Sequence, residues 1–218
     1  MRFTKFLIPA VTVSVTALVL GLGGFTFVYA ENSMVMSENH EGHDHSMHMK
    51  MMQNNDYKLS SKQYNIPDVT LIDEDGHKTS LATLLSADEP VALNFIFTTC
   101  KTICPVMTAT FASMQSKLDQ AQLKQLRVIS ISIDPEYDRP PVLRAYAEKF
   151  KASQSWVFLT GDSTDINNVM RAFDAYTGSK MNHQPVTFLR KSPTQPWWRV
   201  DGLASGQDLA DLVSTRLF

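Results

Sequence analysis

Val91-Ala92-Leu93-Asn94-Phe95-Ile96-Phe97 runs directly into Thr98-Thr99-Cys100-Lys101-Thr102-Ile103-Cys104-Pro105. The apolar run reads as a buried strand. Beyond it, Met107, Phe111, Met114 and Leu118 recur at helical spacing, which predicts a helix from Pro105 to about Gln122. Proline is tolerated in a first helical turn, where its missing N–H would have no partner. Cys100 and Cys104, the two cysteines of the 218-residue chain, therefore lie on a strand-to-helix turn. Such a turn aims unpaired N–H groups and the positive end of a helix dipole at the sulfurs and favours thiolate. A thiolate can bind a soft metal or attack a disulfide. The plain alternative is a structural disulfide, but an i,i+4 pair closes a very short loop and constrains the unfolded chain little.

Before this unit, Ile66–Asp73 reads as a strand, Asp75-Gly76 as a hairpin signal and Lys78-Thr79-Ser80 as the return strand, with a short helical turn from Ser80 to Leu85. After it, Leu126–Ile133 is a strand that stops at Asp134-Pro135. A helix over Pro140–Phe150, a strand over Trp156–Leu159 and a helix over Thr164–Tyr176 follow. Val186–Leu189 and Trp197–Val200 form a second hairpin, and Gln207–Leu217 a closing helix. The order is a hairpin, then β-α-β-α-β-α, then β-β-α. It predicts an α/β fold: a central mixed β-sheet flanked by helices on both faces, with an N-terminal β-hairpin extension. Cys100 then lies at the carboxyl end of a strand, where open α/β sheets place their ligands.

The formal charge of −2 and the absence of a basic patch argue against a nucleic-acid partner. Residues 1–30 combine Arg2 and Lys5 with an apolar run from Leu7 to Leu20 and the small-x-small end Val28-Tyr29-Ala30. They read as a secretory signal peptide cleaved after Ala30. Phe6 to Ala30 is also long enough for an uncleaved membrane anchor. Either way the mature domain is expected beyond a membrane, in a bacterial periplasm, where nearby thiols tend to oxidise unless a metal or a reductant protein intervenes. Residues 31–55 hold Met34, Met36, Met47, Met49, Met51 and Met52 with His40, His43, His45 and His48 between them. The segment has little means of building a core and reads as disordered when metal-free. Thioether and imidazole donors suit copper in both oxidation states, so it is expected to capture that ion loosely. The domain proper is assigned to residues 56–218.

A strand, a dithiol turn, a helix, two βα units and a final ββα make the thioredoxin-like order. Within it, Phe95 to Pro105 resembles the Sco/SenC family of copper chaperones. Ser130-Ile131-Ser132-Ile133-Asp134-Pro135-Glu136-Tyr137-Asp138 looks like that family's S-x-D-P-x-x-D segment, and Asn182-His183 like its copper-binding histidine. The resemblance covers about residues 64–218. It implies a thioredoxin-like fold, copper as Cu(I) or Cu(II), and Cys100, Cys104 and His183 as its ligands. Two thiolates and one imidazole form a soft site. The resemblance also implies delivery of copper to a respiratory haem–copper oxidase at its binuclear copper centre, or to another copper-receiving protein. In thioredoxin-like proteins a cis-proline occupies the place of Pro185 and faces the cysteines; without the fold, a trans turn proline is the default. Asp134 either orients a site group or caps the turn before Pro135. Two features depart from the family pattern: Asn182 stands where aspartate is usual, and the stretch from Tyr176 to His183 is short. From another class, a thiol–disulfide oxidoreductase would use Cys100 to attack a partner's disulfide and Cys104 to resolve the mixed disulfide.

Overall fold

The computed structural model describes residues 57–218. The predicted signal or anchor over 1–30 and the Met/His-rich segment over 31–55 lie outside the described residues. Eight strands form one mixed sheet: β1 (Tyr57–Lys62), β2 (Thr70–Asp73), β3 (Lys78–Ser80), β4 (Val91–Ile96), β5 (Arg127–Ser132), β6 (Trp156–Thr160), β7 (Val186–Arg190) and β8 (Trp197–Gly202). Their order across the sheet is β1-β8-β7-β4-β5-β6-β2-β3. The central β4-β5-β6 neighbours are parallel, and every other pairing is antiparallel. Six helices complete the domain: α1 (Leu81–Ser86), α2 (Ile103–Lys117), α3 (Gln120–Gln125), α4 (Pro140–Lys149), α5 (Ser163–Ala172) and α6 (Gly206–Arg216). This is the thioredoxin-like arrangement expected, with the β2–β3 hairpin as its extension.

Strand side chains alternate between the two faces, and the alternation builds two cores. Ala92 and Ile96 of β4 and Val128 of β5 join Phe111, Met114, Leu143, Tyr146, Leu209 and Val213 under α2, α4 and α6. Val91, Leu93 and Phe95 with Ile129 and Ile131 face α1 and α5 through Leu81, Leu85, Ile166 and Val169. All six residues of β4 are buried, as its predominantly apolar sequence requires of a central strand; the one polar member, Asn94, accepts from the Ser130 hydroxyl. Each fully buried Leu, Ile or Phe of this strand contributes about 1.5–3 kcal/mol. β4 and its partners are thus a rigid platform for the loop that follows.

Three expectations are corrected. The strand placed over Ile66–Asp73 is ordered as a strand only from Thr70; a separate edge strand, β1, pairs antiparallel with β8. The single helix drawn to Gln122 is two. Leu118 adopts extended backbone, and Asp119 starts α3 by accepting the Ala121 and Gln122 N–H groups while Gln122 accepts from the Asp119 N–H, a reciprocal cap. The helix drawn to Tyr176 ends at Ala172, because Asp174 turns the chain with a positive φ of 52°.

Candidate metal centre

β4 ends at Ile96 and α2 begins at Ile103, so Cys100 lies in the connecting loop and Cys104 in the first helical turn. Thr102, at the helix start, makes no side-chain cap. The Cys104 N–H, one of the donors a helix N-terminus leaves unpaired, instead points at Cys100 Sγ, 3.4 Å away. Thr102 Oγ1 lies 3.6 Å from the same sulfur. Burial would raise the Cys100 thiol, but hydrogen bonds from Cys104 and Thr102 outweigh it and bring the thiol down to about 7. Cys104 is the opposite case. It is fully buried, and burial, with the neighbouring Cys100 and Asp138, pushes its thiol up to about 12. Both cysteines are free, without a disulfide between them.

His183 follows a 3-10 turn, Lys180–Asn182, on the way into β7. The residue is 7% exposed, and its Nε2 lies 3.0 Å from the Phe95 carbonyl of β4. A carbonyl only accepts, so Nε2 carries the proton and Nδ1 the lone pair. Burial lowers the histidine pKa and so favours the neutral ring, against the opposing effect of that hydrogen bond. Nδ1 is buried with no hydrogen-bond partner. Buried nitrogen lone pairs are normally satisfied. This one is fixed in tautomer by a backbone acceptor on the opposite nitrogen, the arrangement that orients a ligating histidine.

Cys100 and His183 line one cleft of about 530 Å³ together with Phe97, Lys180, Met181 and Pro185. Cys104 is fully buried and does not line it. Among the described residues, no three His, Cys, Asp or Glu side chains converge closely enough to hold a metal, so the two sulfurs and the imidazole do not meet at one point. The donors nevertheless fit a soft ion: two sulfurs and one unpartnered imidazole nitrogen. Pro185 reaches the cleft as its place in the fold implied, but its peptide is trans; there is no cis bond among the described residues.

The acidic motif after β5 divides its work in a way the spacing alone does not disclose. Asp134 accepts from Lys180 Nζ at 2.6 Å and so ties the histidine-bearing turn to the end of β5. Its backbone carbonyl meanwhile accepts the Tyr137 and Asp138 N–H groups and so closes the turn through Pro135. Asp138, to which the sequence assigned no role, is fully buried. Its carboxylate accepts from the Thr98 N–H at 3.0 Å, the Thr98 hydroxyl and the Ser132 hydroxyl at 2.6 Å. Ser132 Oγ in turn accepts the Asp134 N–H at 3.0 Å. One continuous set of hydrogen bonds therefore joins the motif to the residue two before Cys100. Asp138, Lys180 and Met181 are the site-forming residues that sequence reasoning missed. Among them, only Asp138 carried a signal, its place in the motif.

A dithiol at the carboxyl end of a central strand, facing a histidine across a cleft, defines a thioredoxin-like protein with a thiol–imidazole centre. The SCO1/SenC family model matches residues 58–215, and the chain belongs to that family. Over 101 residues it is 42% identical to the SCO1 protein homolog of Bacillus subtilis (strain 168), covering 46% of this chain and 51% of that protein. The chain thus spans about half the length of the curated relatives it matches. Among solved structures it is similar to BsSco, described as carrying a disulfide switch and as a member of the Sco family of cytochrome c oxidase assembly proteins. The identity is 31% and the TM-score 0.59, over 72% of this chain and 95% of that one. It is also similar to Arabidopsis thaliana ScoI with copper bound, at 26% identity and a TM-score of 0.56, over 67% of this chain and 93% of that one.

Proposed function

We propose that this chain is a periplasmic copper metallochaperone that binds copper through Cys100, Cys104 and His183 and releases it to a partner by ligand exchange. The observation that carries the reading is the buried, unpartnered Nδ1 of His183 in the cleft that also holds Cys100. A reductase has no use for such a lone pair, and a soft metal ion does. Copper in the similar Arabidopsis thaliana ScoI supports the choice of ion. The description of BsSco as a cytochrome c oxidase assembly protein supports a respiratory oxidase, at its binuclear copper centre, as the receiving partner, with general copper homeostasis as the wider role. The Met/His-rich segment, with His40, His43, His45, His48, Met47, Met49, Met51 and Met52, would gather the ion and pass it on. Residues 1–30 would export the domain, as a cleaved signal or a retained anchor. Binding displaces the Cys104 thiol proton to water and requires the His183 turn and the cysteine loop to approach each other.

Copper titration of the reduced protein under anaerobic conditions tests this. Wild type should retain one tightly held copper at the cysteines. His183→Ala should hold it about a hundredfold more weakly, losing a ligand where outer partners alone are worth 10–100-fold, while its thiol exchange with a model disulfide stays within about twofold of wild type. Equal copper retention in both proteins would rule the site out.

A second reading, thiol–disulfide exchange with a partner's cysteines, is favoured by the unequal thiols: an accessible Cys100 lowered to about 7 and a buried Cys104 raised to about 12. The disulfide switch described for BsSco supports it. It would need a thiol reductant protein to restore the dithiol.

The Asp134–Lys180 pair is expected to matter more for the metal than for the fold. Lys180 is 43% exposed at its side chain, so the pair is partly screened, and Lys180→Ala should cost only about 1 kcal/mol of stability. Freed from Asp134, the turn bearing His183 should loosen and copper affinity fall about tenfold. An unchanged affinity in a competition titration would show that the pair does not position the histidine.

A further inference from the structure

We infer that Met181 is the first ligand of the cleft that an incoming copper ion meets, forming with Cys100 and His183 a receiving site at the mouth of the cleft before Cys104 engages. This rests on the copper-binding reading above. The described residues contain four methionines. Met107, Met114 and Met170 are core residues, exposed by 5% or less, whereas Met181 is 77% exposed, the largest value among the exposed large apolar side chains. Packing does not account for that position. Met181 lines the same cleft as Cys100 and His183, and Cys104 does not. An ion arriving from solvent therefore encounters a thioether and one thiol first, in a cleft that His183 also lines with its buried, unpartnered Nδ1, while the second sulfur is still covered.

The turn that carries Met181 is held at several points. Ser179 Oγ accepts the Met181 N–H at 3.3 Å, the Lys180 carbonyl accepts the His183 N–H at 3.2 Å, and Lys180 is bound to Asp134. Met181 is thus presented on an anchored segment two residues from the histidine. Its chemistry suits receipt rather than storage. A thioether is neutral, soft and weakly held, so it exchanges readily and releases no proton on binding. In the transfer, one dative bond to the incoming carrier breaks as the Met181 sulfur bond forms, with the oxidation state of copper unchanged. The thioether bond then gives way as Cys104 binds and its proton passes to water.

The test uses the full chain, reduced and anaerobic, with Cu(I) supplied as its acetonitrile complex. Protection of Cys100 from iodoacetamide, followed by mass spectrometry, reports arrival of the ion at the cleft independently of copper held elsewhere on the chain. Met181→Leu, which keeps the volume and removes the sulfur, should reach wild-type protection about tenfold more slowly. Met181→Cys, which restores a soft sulfur, should recover the rate. In Cys104→Ser, which halts the ion at the receiving stage, the Met181 methyl resonance of 13C-methyl-methionine-labelled protein should move on adding Cu(I). Overlapping protection curves for wild type and Met181→Leu, or a stationary Met181 resonance while Cys100 becomes protected, would overturn the inference and leave the Cys-Cys-His site standing. A wild-type Cys100 that copper never protects would remove both.

Discussion

Replacing Asp138 by alanine is expected to destabilise the domain by about 3 kcal/mol, because it strands three donors that point at one buried carboxylate. Each buried donor left without its acceptor costs about 1–3 kcal/mol. The Thr98 and Ser132 hydroxyls can rotate toward other acceptors, but the Thr98 N–H is fixed by the backbone and cannot. In a domain of this size the loss corresponds to a fall in Tm of roughly 6–12 °C, a large part of the 5–15 kcal/mol that holds a typical domain together. Asp138→Asn should be milder, about 1 kcal/mol, since its amide oxygen can still accept the Thr98 N–H while its NH₂ donates to the Thr98 hydroxyl. The damage should be local as well as global. Thr98 is the point where the loop leaves β4, and Cys100 is held two residues on by its own N–H to the Phe97 carbonyl at 3.2 Å. Denaturant unfolding of the three proteins checks the order. A loss below about 1 kcal/mol for Asp138→Ala would mean that the hydrogen bonds re-form elsewhere and that Asp138 does not anchor the loop.

That anchoring shows where sequence reading stops. The Ser130–Asp138 motif was legible, and so was its association with the cysteines. Which acid does what was not, because the register that sets Ser132 against Ile96 across two parallel strands, with Thr98 just beyond, is a tertiary fact. Ser132 and Asp138 are six residues apart in sequence, whereas Thr98 and Asp138 are forty apart. The buried strands β4, β5 and β7 announce themselves by their apolar and β-branched residues. β1 does not: in Tyr57-Lys58-Leu59-Ser60-Ser61-Lys62 only Tyr57 and Leu59 are even half-buried, and the segment is a strand because β8 offers it an edge. The break after α2 was masked by Leu118, which keeps helical spacing from Met114 yet sits in extended backbone; the Asp119–Gln122 cap was the overlooked signal. For the site, cysteines and histidine were legible as residue types. The lone pair left free on Nδ1 was not, since it follows from which nitrogen meets the Phe95 carbonyl. Met181 was invisible for a similar reason: only its placement distinguishes it from the three core methionines.

In the metal-free dithiol, iodoacetamide at pH 7 should modify Cys100 at least a hundredfold faster than Cys104. At that pH a thiol lowered to about 7 is half ionised, whereas one raised to about 12 has roughly one part in 10⁵ as thiolate. The low-pKa thiolate is intrinsically less nucleophilic, by about 10² to 10²·⁵ over five pKa units. The population term still wins by two to three orders of magnitude, and the full burial of Cys104 adds to it. The rate at Cys100 should rise with pH and level off above about 7, while that at Cys104 keeps rising through the alkaline range. Stability follows with opposite signs. The Cys100 thiol is lowered in the fold, so its contribution is present above the ordinary thiol range and is lost as pH falls through about 7. The Cys104 thiol is raised, so its contribution is present below that range and is lost as pH rises toward 12. The pair should therefore favour the fold most near the ordinary thiol pKa, about 8.5. Peptide-resolved alkylation across pH 5–10 reads both sulfurs at once. Equal rates at pH 7 would mean that the Cys104 N–H does not support a thiolate at Cys100, and the helix start would then contribute nothing to the reactivity of this site.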